Sequence, residues 1–330
     1  SKAQLQNIDL DEYRRLYIET KHPLVPLLKL FQKAVGPSGE FIHYGATTHD
    51  IVDIGKMVAL KKVWDITEET LLAIEDDLLN LIEKHAYTIM AGRSHNIQAL
   101  PITFGFKAAI WASELRRDIE RLQQARDRVF VVTFSGANGT MASFDGKGHE
   151  LEALMAEEFG LGVPDISWHA ARDRIAEIAS IFAIIGGTLA RIAQEVYLLM
   201  ASEIGELSEG YTEGVVGSST MPHKINPINS QHIMGAARTL RYDAAHCIEC
   251  MLIDHEHNLV HFHDERLTVE RMGRTMGELL ERSYELIHTL HVDEKRMRKN
   301  LDILKGAVQS ENVMLKLGEK IGKMTAKNIV

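Results

Sequence analysis

Apolar residues recur along most of the chain at spacings of three to five, the pattern of helices that each bury one face. From Met57 to about Ala86 the stripe runs through Val58, Val63, Ile66, Leu71, Ile74, Leu78 and Leu81, with Glu and Asp between them. A second run, Phe104 to Val129, sets Phe104, Ala108, Trp111 and Leu115 on one face. The third and longest runs from about Arg172 to Leu207 and carries Ile175, Ile178, Phe182, Ile185, Leu189, Ile192, Val196 and Leu199. A helix of about 35 residues is about 50 Å long, too long for a compact domain to bury unless similar helices lie alongside. Further helices are predicted over 229–252, 265–290, 294–304 and 310–330. Only Val129–Phe134 reads as a strand, and one strand makes no sheet. The expected fold is all-α, a bundle of long helices. Its stripe from Ile175 to Leu199 is taken as too long for one chain to cover, which predicts self-association.

Three segments interrupt the helical pattern with Gly, small hydroxyl residues and His: Tyr44–Asp50, Gly92–Asn96 and Gly214–Pro227. Each abuts a predicted long helix, so reactive groups gather at helix ends on a rigid scaffold.

Composition narrows the partners. The 330 residues are 45% hydrophobic with only 7 Pro, which excludes a disordered chain and favours helix. Forty-six acidic against 37 basic residues give a net charge of −9, without the basic stripe that nucleic acid requires. The apolar run between Glu177 and Arg191 is short for a bilayer span and contains Gly186 and Gly187. Two Cys fit a reducing compartment, and the opening Ser-Lys-Ala-Gln-Leu-Gln lacks the charged-then-apolar run expected of a signal peptide. The expectation is a soluble cytoplasmic protein with no membrane or nucleic-acid partner. Sixteen His is an excess that calls for a use.

The third interruption carries the most chemistry. Gly217-Ser218-Ser219-Thr220-Met221-Pro222-His223-Lys224-Ile225-Asn226-Pro227 offers consecutive N–H groups, a fixed cation at Lys224, and a donor and an acceptor at Asn226. Such a loop suits a carboxylate or oxyanion. By residue type alone it equally suits a solvated cap ahead of a helix.

This segment resembles the GSSxMPxKxNP signature of the fumarase/aspartase superfamily. Gly45–Asp50 and Gly92–Pro101 resemble that family's other two conserved regions, in the same order and spacing. Ser135–Thr140 and Trp168–Arg174 are also similar, so the resemblance covers essentially the whole chain. It is strongest to the branch that holds adenylosuccinate lyase and 3-carboxy-cis,cis-muconate cycloisomerase.

The resemblance implies a lyase that removes a proton beside a carboxylate and expels a leaving group from the next carbon, usually releasing fumarate. The carbanion spreads onto the carboxylate as an aci-carboxylate, so the site needs a base, anion donors and an acid. By resemblance Ser218 is the base, activated by loop N–H groups and Lys224. His95 assists the leaving group, and His22 matches the second histidine of adenylosuccinate lyases. Thr47, Thr48, Arg93, Ser94, Gln98, Ser219, Lys224, Asn226 and Arg266 are the implied substrate-binding residues. Acid–base groups suffice, so neither cofactor nor metal is implied. The partner would be a small dicarboxylate-type substrate, and a homotetramer would build each site from three subunits.

Several positions depart from the family pattern. Gln231 stands seven residues past the signature lysine, where fumarases and adenylosuccinate lyases usually carry a glutamate paired with the histidine; the cycloisomerases also lack that glutamate. His255-Glu256-His257-Asn258 replaces the His-Glu-Arg-Asp of adenylosuccinate lyases, leaving Arg266 from the set that grips the nucleotide phosphate, and Ala171 replaces a glutamine. An adenylosuccinate-type adduct is the first expectation, lactone formation of the cycloisomerase kind the second, and a non-catalytic, crystallin-like scaffold the alternative of another class. A metal site in the histidines from 255 to 263 or at Cys247 and Cys250 is disfavoured, since only His257 and His261 share a helical face. The expected organisation is a remnant of an N-terminal helical domain over 1–50, the bundle over 51–290 and the start of a small C-terminal helical domain over 291–330, with relatives extending beyond both ends.

Overall fold

The computed structural model describes residues 4, 6, 8–210, 221, 224–256 and 258–330. In chain order its elements are α1 (Leu10–Thr20), α2 (Leu24–Val35), α3 (Thr48–Lys84), β1 (Ile89–Ser94), β2 (Ile97–Thr103), α4 (Phe104–Val129), α5 (Gly148–Phe159), α6 (Asp173–Leu199), β3 (Leu207–Ser208), α7 (Ile228–Glu249), α8 (Leu259–His288), β4 (His291–Val292), α9 (Glu294–Leu301), α10 (Ser310–Ile321) and α11 (Lys323–Ile329). The all-α expectation holds, and long helices make the body of the chain.

Three expectations are corrected. The longest helix is α3, at 37 residues against 27 in α6. Val129–Phe134 forms no strand: Val129 ends α4, and Val131 makes a single bridge to Gly162. Among the described residues the strands that do form are the antiparallel pair β1–β2 and the short pair β3–β4. The third correction concerns the long apolar stripe. Ile175, Ile178, Phe182, Ile185, Leu189, Ile192, Val196 and Leu199 are all buried within the chain, because other long helices cover them. It is a core face, and self-association does not follow from it.

The chain divides into two compact units. One comprises Ser1–Lys61, Asp127–Arg174 and Cys250–His263, and the other Lys62–Arg126, Ile175–Glu249 and Asp264–Val330.

The first unit is organised by two buried aspartates on the opening turns of α3. Asp50 reaches back to the Thr47 N–H at 2.9 Å, the reciprocal half of a capping box. It also accepts from the Ser135 and Gly136 N–H groups at 3.0 and 3.1 Å and meets His169 Nε2 at 2.9 Å. One turn on, Asp53 takes both arms of Arg172 and the Lys56 ammonium. Burial alone would raise its pKa, but the two cations overcome that and hold the carboxyl far below the usual range. Sign follows from direction: an Asp with a depressed folded pKa stabilises the fold above about pH 4 and less as acid protonates it. Asp53→Asn removes the buried carboxylate charge that both cations share, and we expect a loss of up to about 3–5 kcal/mol in urea unfolding at neutral pH. The loss should shrink toward low pH; a constant deficit would contradict this role. Gly45 has φ +72°, and a Cβ there would meet Phe144 at 2.5 Å, so the chain entering α3 needs glycine.

The second unit holds the packed helices. Trp64 on α3 lies 5.7 Å from Phe182 on α6, and Phe104 meets Trp111 edge to face at 5.9 Å. Leu71, Ile74, Leu78, Leu115, Ile119 and Leu122 complete the core. Gly186 lets α6 approach α7: a Cβ there would lie 3.2 Å from Leu240 and 3.5 Å from Ala237.

Candidate active site

The sites inferred from sequence fall in both compact units. Arg93, Ser94, His95, Gln98, Lys224, Asn226 and Arg266 belong to the second, His22, Thr47 and Thr48 to the first. Ser218 and Ser219 lie outside the described residues.

His95 sits at the tip of the β1–β2 hairpin. Register pairs Ser94 with Ile97, so His95 and Asn96 are its two-residue turn. Both have positive φ, 52° and 66°, which marks a primed turn whose twist matches the flanking strands. Asn tolerates this conformation, whereas it is uncommon for His. The hairpin therefore spends conformational energy to hold an exposed imidazole at its apex. At its foot, His85 packs edge-on to Phe104 and is held below the usual histidine range by burial, partly offset by Glu294.

Two neighbours of His95 have partners within the chain. The Arg93 guanidinium makes a bidentate pair with the fully buried Glu206 at 2.9 and 2.6 Å. Gln98 donates to the Asn300 carbonyl at 2.9 Å. Both hold the hairpin to β3 and α9. Ser94 is exposed beside the turn.

Lys224 and Asn226 lead into α7. Lys224 lines a cavity of about 590 Å³ with Met221, Ile225, Ser208, His291 and Asp293. Among the described residues its ammonium makes no ion pair. Asn226 is half-buried, and two residues later the chain enters the helix. Gln231 is exposed on the first turn of α7. Arg266 pairs along its own helix with Glu270 at 3.5 Å, and both side chains are about half exposed.

In the first unit His22 caps α2. Its Nδ1 accepts from the N–H groups of Leu24 and Val25 at 3.2 and 3.3 Å. That contact settles the tautomer: the neutral ring carries its proton on Nε2 and presents a donor outward. Thr47 and Thr48 occupy the start of α3, half-buried, with Thr47 fixed by Asp50.

Sequence reasoning passed over three residues. His43, with φ 66°, buries an Nε2 that has no hydrogen-bond partner among the described residues, two positions before Gly45. Its proximity to the Gly45–Asp50 motif was the available signal. Glu206 and Glu209 carry no motif, and only their burial marks them.

Comparison with known proteins fits this arrangement. Residues 25–241 match a family described as lyase. N-acetyl-S-(2-succino)cysteine lyase of Dickeya dadantii is 38% identical over 330 residues, covering 100% of this chain and 73% of that protein. Adenylosuccinate lyase of Pyrococcus abyssi is 34% identical over 331 residues, covering 100% and 74%. The crystal structure of 3-carboxy-cis,cis-muconate lactonizing enzyme from Pseudomonas putida superposes with a TM-score of 0.90 at 30% identity, covering 99% of this chain and 73% of that one. With its three matching sequence segments, its long-helix body and similarity along its whole length to about three quarters of each of these enzymes, the chain belongs to the fumarase/aspartase superfamily of lyases.

Proposed function

We propose that this lyase eliminates fumarate from a small 2-succinyl adduct, with an amino-acid-sized thiol or amine as leaving group rather than a nucleotide. The observation that carries the reading is selective retention. Ser218, His95, Lys224 and Asn226 keep the elimination chemistry. The nucleotide-phosphate set is reduced to Arg266, whose partner is Glu270 on its own helix. The 38% identity to a lyase named for N-acetyl-S-(2-succino)cysteine supports the same direction.

Each group has a defined task. Ser218 takes the proton from the carbon beside the carboxylate. Lys224 and Asn226 hold that carboxylate as it gains charge. His95 or His22 delivers a proton to the departing sulfur or nitrogen; His22 is suited to this by the Nε2 proton that its capping contact dictates. Thr47, Thr48, Ser94 and Ser219 bind substrate carboxylates. The reading includes a homotetramer in which three subunits complete each site, and a cytoplasmic enzyme that needs no cofactor. Ile184, Tyr197 and Leu198, the exposed large hydrophobic residues of α6, are candidates for the subunit contact.

A second reading, lactone formation, is favoured by Gln231. An amide there orients an imidazole but adds no negative charge to stabilise its cation. One panel separates the two. Purified protein is offered N-acetyl-S-(2-succino)cysteine, adenylosuccinate and 3-carboxy-cis,cis-muconate, and ultraviolet absorbance is followed. We expect the thioether to be consumed fastest. Exclusive turnover of adenylosuccinate or of the muconate would overturn the proposed leaving group.

A further inference from the structure

Between α6 and the Gly217–Pro227 segment, Glu206-Leu207-Ser208-Glu209 contributes only two residues to a strand, yet both of its glutamates are buried. A buried carboxylate is costly unless donors surround it, so where the donors come from is informative. For Glu206 they come from the hairpin and from α9. Arg93 supplies two N–H groups, and the Asn300 amide adds a third at 2.7 Å. Its backbone is fixed as well: its N–H donates to Leu199, and its carbonyl accepts from Asp293. Arg93 is two residues from His95, the turn residue with strained φ.

For Glu209 the donors come from the first turn of α7. Its carboxylate accepts the N–H groups of Asn229 and Ser230 at 3.0 and 2.8 Å and the Ser230 hydroxyl at 2.6 Å. Those N–H groups have no partner within the helix, and a negative charge at this end is favoured by its dipole. Asn229 is three residues past Asn226 and five past Lys224. All of these residues belong to the second compact unit.

We infer that Glu206 and Glu209 are positioning residues that act as a two-ended clamp, one holding the His95 hairpin and the other the helix start that carries Lys224 and Asn226. Three residues apart on one short segment, they tie the hairpin and the start of α7 to a common support, whichever subunits' sites those two elements serve. This rests on the proposed roles of His95, Lys224 and Asn226. Each end of the clamp then has its own kinetic signature. Loss of the Glu206 contacts loosens the proton donor and lowers kcat. Loss of the Glu209 contacts loosens the anion grip and weakens substrate binding.

The test uses isosteric variants. Glu206→Gln should lower kcat by about tenfold to a hundredfold with KM nearly unchanged, the size of effect that a misplacement of about 1 Å produces. The loss should vanish in a His95→Gln background, because the hairpin then carries no imidazole to be placed. Glu209→Gln should instead raise KM and weaken binding of fumarate itself. Amide hydrogen exchange should quicken in Ile89–Thr103 for the first variant and in the opening turn of α7 for the second. Should either variant fail to fold, Asn300→Ala and Ser230→Ala each remove one bond from the same carboxylates and should give the same pattern at smaller amplitude. Equal loss in both His95 backgrounds, exchange that rises across the whole unit, or unchanged kcat and fumarate affinity would overturn the clamp. Fumarate binding and exchange are read without turnover. A protein that binds fumarate but releases none from any adduct contradicts the proposed function and leaves the clamp standing or falling by these two readouts.

Discussion

Ser218→Ala lowers kcat by about three orders of magnitude while substrate still binds, the middle of the range for removal of a positioned general base. The C–H bond beside a carboxylate is a weak acid, so the reaction is limited by where its proton goes. Alanine keeps the backbone N–H groups and removes the one oxygen assigned to take that proton. A merely structural serine would leave kcat within a few-fold and show its loss in thermal stability. The same variant also tests the shared site. If each site draws on several subunits, mixing inactive Ser218→Ala with inactive His95→Gln protein and allowing subunits to exchange restores part of the activity, because some sites then receive both native residues. No recovery from exchanged subunits would place both residues in one subunit's site and contradict the three-subunit reading.

Lys224→Met damages binding and turnover together, by about a hundredfold to a thousandfold in kcat/KM, the range for removing one donor to a developing oxyanion. The ground-state carboxylate carries one negative charge and the aci-carboxylate two, so a fixed cation favours both and the second more. Methionine keeps the length and apolar character of the stem, which confines the change to charge. Lys224→Arg restores charge in a planar fork and should recover only part of the loss. A rise in KM with kcat unchanged would assign Lys224 to uniform binding and remove it from the transition state.

Much of the fold could be read from the sequence because helices record burial locally. The run from Phe104 to Val129 became α4 with the same ends, since its apolar face and its flanks agree. Helices α1, α2 and α5 escaped notice because they are short and their apolar residues make no long stripe. The β1–β2 hairpin was missed for another reason. Its strands, Ile89–Ser94 and Ile97–Thr103, carry Gly, Ala, Arg, Gln and Pro where alternating β-branched residues would announce a strand. Its turn is His-Asn rather than Asn-Gly, so a candidate catalytic residue displaced the usual turn signal. The Ile175–Leu199 stripe was visible, but what covers it comes from distant segments, and periodicity cannot distinguish a partner chain from the same chain.

The candidate site divides in the same way. Ser218, Lys224, Asn226 and His95 stand in compact motifs, because backbone N–H groups, a cation and an amide must lie close together to hold a carboxylate. The groups that hold them do not. Arg93 reads as a substrate ligand by its place in a motif, whereas its partner Glu206 lies 113 residues away. Similarly, the tautomer of His22 depends on two N–H groups of the helix it caps, a matter of geometry rather than of residue type.

The central claim is that fumarate leaves by β-elimination from a small succinyl adduct. Proton NMR of purified protein with N-acetyl-S-(2-succino)cysteine tests it most directly, because both products are identified as they form. The account predicts equal amounts of fumarate and N-acetylcysteine, at a rate that Ser218→Ala abolishes. Binding of the adduct without either product, or a cyclised product without fumarate, would contradict it.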